Sequence, residues 1–168
     1  EVRLSSYISP VDFETQNLDA AIRAGKGVWD GLHSEKLLDI ELIPICSPDY
    51  QREHQLETPA DLSRVRLLHS MARPTDWAAW AKRVGADVDT EPGIRFESSA
   101  LAYEAASLDG GVAIAVKLFV QRQLLNGSLV SPIPETCTSG EGYFLTWPKA
   151  TQPSQTLTRF LGWIREQV

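Results

Sequence analysis

The feature that most constrains the fold is the continuous apolar run Val112–Val116. A strand that is apolar on both sides is typical of a sheet covered by helices on both faces. The run lies between two segments with helical patterns, which begin at Ser98 or Ser99 and at Lys117, and an alternating strand precedes them. Residues 94–127 therefore predict a β-α-β-α unit, and with it an α/β fold with a largely parallel sheet.

Prolines interrupt two strand-like segments, residues 41–48 and 129–134, that bracket this middle part of the chain. A proline within a strand pattern indicates an edge or a crossing strand, because it cannot donate a ladder hydrogen bond. Two crossing connections around an inserted lobe predict two α/β subdomains with a cleft between them. Subdomain I then consists of residues 1–45 and 139–168, and subdomain II of residues 46–138. Ligands in such folds bind at the carboxyl ends of strands.

Charge and composition exclude several classes of protein. The chain has 16 Lys and Arg residues against 22 Asp and Glu residues, a formal net charge of −6, which is unsuited to binding a phosphate backbone. It contains no apolar run of the roughly 18–20 residues that a membrane span needs. Its two cysteines, Cys46 and Cys137, lie far apart and are expected to be buried free thiols. These features favour a domain that binds small molecules.

Motifs for catalysis and for metal binding are not found in the sequence. It has no glycine-rich phosphate loop, no Gly-x-Ser-x-Gly and no His-Glu-x-x-His. His33, His54 and His69 do not have the spacing of metal ligands. A small hydrolase that uses Ser98 with His69 remains an alternative, although no local motif supports it. We therefore expect no catalytic residue, no metal and no cofactor.

The pair Ser98-Ser99 is the most informative polar pattern, because it ends a predicted strand and begins a predicted helix. Two hydroxyl groups and the free backbone N–H groups of a helix start can bind an anion. The alternative is that the serines simply cap the helix. Spacing alone leaves both interpretations open.

Several segments also match one known family in their order and spacing. These segments are Pro10–Phe13, Leu18–Gly27 with Trp29, Pro44–Pro48, Thr58–Leu62, Leu67–His69, Asp76–Trp80, Phe96–Ser99 and Gly110–Ala115. Together they resemble the effector-binding domain of LysR-type transcriptional regulators. Within that family, the resemblance is to the branch of the glycine-cleavage activator and the chromosomal β-lactamase regulators.

The resemblance implies a periplasmic-binding-protein-like fold and a small-molecule effector between two subdomains. It also implies a cytoplasmic, bacterial homodimer or homotetramer that binds DNA only through an N-terminal winged helix-turn-helix, which this sequence does not include. The alternating segment Val2–Tyr7 is predicted to be a strand. The family usually places one strand and one helix before it, so the resemblance implies a domain truncated at its N-terminus.

Four residues of this sequence match positions that contact effector in the family. The resemblance assigns Asp12 to an acidic position after the first strand, and Ser98 and Ser99 to a hydroxyl pair at a helix start. It assigns Tyr143 to an aromatic position that closes the pocket. Asp12 can accept from an ammonium or amide N–H and the serines can donate to a carboxylate, which suits an amino-acid-like or peptide-like ligand. A solute-binding receptor of a transporter shares the fold and is the alternative function.

Overall fold

The computed structural model describes residues 2–5, 11–150 and 152–167. Within these residues, the helices are α1 (Phe13–Gln16), α2 (Pro48–His54), α3 (Asp76–Val84), α4 (Ser99–Ser107), α5 (Lys117–Asn126) and α6 (Gln155–Arg165), and Pro59–Arg64 form a 3-10 helix. The strands are β1 (Ala21–Gly25), β2 (Leu32–Ile45), β3 (Leu67–Ser70), β4 (Ile94–Phe96), β5 (Val112–Val116) and β6 (Cys137–Pro148).

The chain divides into two compact units. Unit 1 consists of Glu1–Ile40 and Gly140–Val168, and unit 2 of Glu41–Ser139. Both boundaries fall inside long strands, since β2 and β6 each contribute residues to both units. The predicted boundary after residue 45 lies five residues beyond the first boundary in the structure. The predicted boundary after residue 138 lies one residue before the second.

In unit 2 the hydrogen-bonded order of strands is β2-β5-β3-β4. β3 pairs in parallel with both β4 and β5, whereas β2 pairs antiparallel with β5. The predicted β-α-β-α unit is confirmed, but the prediction of a largely parallel sheet is wrong. A parallel pair needs a crossover connection, and here α3 and α4 supply crossovers only among β3, β4 and β5.

The core of unit 2 forms around β5, whose five residues are all buried, as predicted. Ala102 and Ala106 of α4 and Val120 of α5 pack in one cluster with Ala113 and Ala115 of this strand. Small side chains on α4 and β5 allow the helix to lie close to the strand, and the contact removes apolar surface from water.

Helix α3 presents two tryptophans to the interior of unit 2, because residues three apart lie on one face of a helix. Trp77 and Trp80 are buried and their rings meet edge to face, with centroids 5.9 Å apart. Their indole N–H groups donate to the carbonyl oxygens of Leu68 at 3.1 Å and Glu135 at 2.7 Å. The buried polar atoms are therefore satisfied, so both rings act as core residues.

In unit 1 the order of strands is β1-β6-β2, and β1 is antiparallel to β6. Leu157, Leu161 and Ile164 of α6 are buried together with Leu145 of β6. The spacing of Leu157, Phe160, Leu161, Ile164 and Val168 predicts an apolar stripe on this helix. The structure confirms the stripe for the three residues named above, while Val168 lies outside the described residues.

Three strand predictions need correction. The sequence pattern predicts two strands, Glu35–Ile40 and Glu41–Cys46, but the structure has one strand, β2, because its ladder continues through Pro44. The strand expected from Leu129 to Ile133 is reduced to one bridge between Val130 and Cys46.

The strand predicted at Val2–Tyr7 is not present in its described part, residues 2–5, and Ser6 and Tyr7 lie outside the described residues. Val2 is 62% and Leu4 is 87% exposed. Apolar alternation stabilises a strand only when one face is buried and the backbone pairs with a neighbour. Neither condition is met for these residues.

Both cysteines are buried free thiols, as predicted. Burial raises the pKa of the Cys46 thiol to about 12 and also raises the pKa of Cys137. Neither is a thiolate at neutral pH, so neither has the reactivity of a catalytic or redox-sensing cysteine.

We expect Gly111→Ala to destabilise unit 2. Gly111 has φ +147°, and a Cβ atom there would lie 2.4 Å from the carbonyl oxygen of Arg66. The clash and the backbone strain should lower the free energy of unfolding by about 1–3 kcal/mol. The control is Gly162→Ala in α6, where a Cβ atom meets nothing within 4 Å and where alanine should stabilise the helix by about 0.5–1 kcal/mol. Urea denaturation of both variants measures this, and equal stabilities would contradict the described approach of Gly111 to β3.

Candidate functional site

The carboxyl ends of β3, β4 and β5 lie at one edge of the sheet in unit 2, because the three strands are parallel. Ser70, the last residue of β3, is opposite Phe96 of β4. Leu67 is opposite Val112, and the same register brings Ser70 level with Ala115 of β5. Residues that come shortly after Ser70, Phe96 and Ala115 therefore lie close together, at the edge where α/β folds bind ligands.

Ser98 and Ser99 lie at this edge and make different hydrogen bonds. Ser98 is the N-cap of α4, and its hydroxyl oxygen accepts from the backbone N–H of Leu101 at 3.4 Å. The hydroxyl groups of Ser99 and Ser70 are 3.0 Å apart. The capping interpretation is thus confirmed for Ser98. A capping hydroxyl uses only a lone pair and keeps its proton for a ligand, so capping and binding are compatible.

An ion pair lies at the same edge of unit 2. Lys117 directly follows β5, and its Nζ is 3.1 Å from Oε1 of Glu41 on β2. Leu42 is opposite Val116 in the ladder, so Glu41 and Lys117 are the next pair of residues along it. A hydrogen bond from the side chain of Thr136 lowers the pKa of Glu41, with a further contribution from Lys117 against the opposing effect of burial. The carboxylate is therefore ionised at neutral pH.

His69 does not support the hydrolase alternative. It is buried, and its Nε2 lies 3.2 Å from the carbonyl oxygen of Pro92. Because a carbonyl only accepts hydrogen bonds, this nitrogen carries the proton and donates it to Pro92. A Cβ atom on Gly93 would lie 2.8 Å from the same nitrogen, so the ring is closely packed. The imidazole is a structural group that joins β3 to the segment before β4.

Asp12 and Tyr143 belong to unit 1. The exposed carboxylate of Asp12 caps α1, where Oδ1 accepts from the backbone N–H of Glu14 at 2.9 Å and of Thr15 at 3.4 Å. Hydrogen bonds from Thr15 and Glu14 hold its pKa below the ordinary value. Tyr143 lies on β6, opposite Ala24 of β1, and is half-buried. Two of the predicted site residues are thus in unit 1, and the serines are in unit 2.

Three polar residues at the edge of unit 2 were missed by the sequence analysis: Ser70, Glu41 and Lys117. Lys117 carries a local signal, since it follows the apolar run of β5 directly. Ser70 and Glu41 have none, because their places depend on which strands pair and in which register.

In the described part of the chain, no three His, Cys, Asp or Glu residues are grouped so that they could hold a metal ion. None of the helices described there is both long enough and apolar enough to cross a membrane.

The sequence matches the LysR substrate binding domain family over residues 1–168. The glycine cleavage system transcriptional activator of Escherichia coli K12 is 31% identical over 166 residues, which are 98% of this chain and 54% of that protein. The transcriptional activator AmpR of Pseudomonas aeruginosa is 33% identical over 168 residues, which are 99% of this chain and 55% of that protein. The chain thus spans about half the length of these relatives.

Solved structures give the same result. The effector domain of Pseudomonas aeruginosa AmpR superposes with a TM-score of 0.87 at 33% identity, covering 98% of this chain and 79% of that one. The AmpR effector-binding domain from Citrobacter freundii has a TM-score of 0.84 at 29% identity, covering 97% and 80%. The fold is therefore the periplasmic-binding-protein-like α/β fold that the resemblance implied. With the family match over its full length, the chain belongs to the LysR substrate-binding domain family.

Proposed function

We propose that this chain is the effector-sensing part of a bacterial LysR-type transcriptional regulator. The observation that carries the proposal is its likeness, in sequence and fold, to the effector domain of such a regulator along nearly its whole length. The relatives named above are transcriptional regulators, so neither the transporter receptor nor a hydrolase gains support from them. The proposed role needs no catalytic residue and no cofactor, and it places the protein in the cytoplasm with the DNA.

The proposed effector contacts are Ser98, Ser99, Asp12 and Tyr143. Ser98 keeps its hydroxyl proton for a ligand at the start of α4, which suits a carboxylate, and Ser99 lies beside it with its hydroxyl donating to that of Ser70 at 3.0 Å. Asp12 is ionised at neutral pH because its pKa is lowered, so it can accept from an ammonium or amide N–H. These groups together favour a small polar effector of amino-acid or peptide type. For the Citrobacter freundii domain, one structure has a threonine, a serine and a tyrosine replaced by valine, alanine and phenylalanine.

The proposed mechanism is a shift between conformations. An effector that binds one conformation more tightly increases the population of that conformation. In the whole regulator, the change alters the arrangement of subunits in a homodimer or homotetramer, and so of the N-terminal winged helix-turn-helix domains on DNA.

Apolar surface on unit 2 supports self-association. Helix α5 exposes Leu118, Phe119 and Leu125, the last to 81%. Beside these residues, a groove of about 700 Å³ lies between α4 and α5. Exposed apolar side chains grouped on one helix are typical of an interface with another protein.

We expect Ser98→Ala and Ser99→Ala each to weaken effector binding by about 1–3 kcal/mol, because a buried ligand group loses a hydrogen-bond partner. Ser98→Ala should also lower the free energy of unfolding by about 1 kcal/mol through loss of the helix cap. Isothermal titration with a panel of amino acids and short peptides, together with melting curves, measures both effects.

The matched control is Ser107→Ala on the same helix, whose hydroxyl donates only to the carbonyl oxygen of Glu104 at 2.7 Å. It should leave affinity unchanged. If Ser98→Ala and Ser99→Ala lose stability but bind as tightly as the parent chain, the serines are structural residues and not effector contacts.

We expect the chain by itself not to bind duplex DNA at physiological salt, because its net charge of −6 repels the phosphate backbone. Fluorescence anisotropy with a labelled duplex measures this. Micromolar binding that weakens steeply as salt is added would contradict the assignment of DNA binding to a separate N-terminal domain.

A further inference from the structure

A cavity of about 390 Å³ in unit 2 lies at the opposite edge of the sheet from Ser98 and Ser99. It is large enough for a small molecule, since ligand sites measure about 300–1,000 Å³. Arg66, which lines it, directly precedes β3, and Asp109, which also lines it, lies three residues before β5. The cavity is therefore at the amino ends of these strands, and about 13 Å of β5 separates it from the carboxyl ends.

Two arginines bring positive charge to the cavity. Nη2 of Arg64 donates to Oδ1 of Asp61 and to the carbonyl oxygen of Gln55, both at 3.0 Å. Arg66 instead donates through Nη1 to the carbonyl oxygen of Gly110 at 3.3 Å. Among the residues that the structure describes, no carboxylate forms an ion pair with Arg66. Its remaining N–H donors can therefore bind the carboxylate of a ligand.

Negative charge lines the same cavity, on Asp109 and Glu53. Oδ1 of Asp109 accepts a hydrogen bond from the hydroxyl of the buried Ser47, which orients the carboxylate and leaves Oδ2 for another donor. Glu53 lies on α2 and is exposed. A ligand with only a carboxylate would be repelled by these two groups, and one with only an ammonium by Arg64 and Arg66. Charges of both signs in one cavity therefore favour a zwitterion.

An aromatic pair from α2, together with Val65, forms the apolar part of the lining. The rings of Tyr50 and His54 have centroids 4.2 Å apart, because residues four apart lie on one face of a helix. Tyr50 is buried, and its hydroxyl oxygen accepts from the backbone N–H of Arg66 at 3.4 Å. This bond joins the aromatic pair to the segment that carries the arginine. An apolar side chain can thus pack beside the charged groups.

We propose that this cavity binds a free amino acid with an apolar side chain. The carboxylate of the amino acid pairs with Arg66, its ammonium pairs with Asp109 and Glu53, and its side chain contacts His54 and Val65. The cavity is separate from the site proposed for the effector, so this inference goes beyond the proposed function and stands without it. Unit 2 then has two ligand sites, at opposite edges of one sheet.

The experiment compares three ligands that differ only in their charged groups: L-phenylalanine, 3-phenylpropionate, which lacks the ammonium, and 2-phenylethylamine, which lacks the carboxylate. Each is titrated into the ¹⁵N-labelled chain while backbone amide chemical shifts are recorded. We expect L-phenylalanine to cause saturating changes at Arg66, Asp109 and Gly110. Each of the other two ligands should bind there at least about tenfold more weakly, because one charge-assisted contact is lost.

Two substitutions test the charged groups of the cavity. Arg66→Gln keeps a donor for Gly110, and Asp109→Asn keeps an acceptor for Ser47 and tolerates the φ of 59° at this position. Each should weaken the binding of L-phenylalanine about tenfold. The matched control is Arg52→Gln, which makes the same change in net charge as Arg66→Gln but removes an exposed ion pair within α2. It should leave the affinity unchanged.

The proposal is overturned if L-phenylalanine causes no saturating changes at the amino ends of β3 and β5, or if the three ligands bind there equally. It is also overturned if Arg66→Gln and Arg52→Gln lose affinity to the same extent, as a general effect of charge would cause. Ser98→Ala should leave this binding unchanged, whereas an equal loss in that variant would assign the ligand to the candidate site and overturn the proposal. The comparison of ligands needs no substitution, so it decides the question even where a variant fails to fold.

Discussion

The complete burial of β5 is the constraint on which unit 2 depends. A strand that exposes neither face must be covered on both and must pair along its edges. On the face that carries Ala113 and Ala115, the small residues of α4 and β5 pack together, and β3 in parallel and β2 antiparallel supply the pairing. The same arrangement brings the end of β5 to the edge where β3 and β4 end. The packing of the core therefore also determines where polar groups can meet a ligand.

At that edge, one group can serve both stability and binding. Ser98 caps α4 through a lone pair and still has its hydroxyl proton. Glu41 is held ionised by a hydrogen bond from Thr136 and by Lys117, in an ion pair that is partly exposed. Mutations at these residues are therefore informative only when stability and affinity are measured separately.

The sequence predicted what depends on local patterns. The apolar run of β5, the cap at Ser98 and the stripe on α6 are each visible within a dozen residues, and the structure confirms them. The direction of the sheet was misjudged, because the direction of β2 relative to β5 depends on residues 74 positions apart (Leu42 and Val116 lie opposite each other). The prediction at Val2–Tyr7 failed in residues 2–5 because alternation shows an amphipathic pattern and not a pairing partner.

The residues of the candidate site also differ in whether the sequence near them could reveal their place. Ser98 and Ser99 carried a local signal, the junction of a strand with a helix. The family resemblance added Asp12 and Tyr143, which no pattern in the sequence would have joined to the serines. Glu41 and Ser70 were found only through the register of β2 with β5 and of β3 with β4, since pairing between distant segments leaves no mark in either segment.

We propose that this family member binds a small carboxylate-bearing effector at the start of α4. Its most direct test is the change in backbone amide chemical shifts of the ¹⁵N-labelled chain as amino acids and short peptides are added. We expect the largest changes at Ser99, Ala100 and Leu101, and we expect them to saturate with ligand concentration. Saturating changes confined to the exposed face of α5, with none at the start of α4, would contradict it.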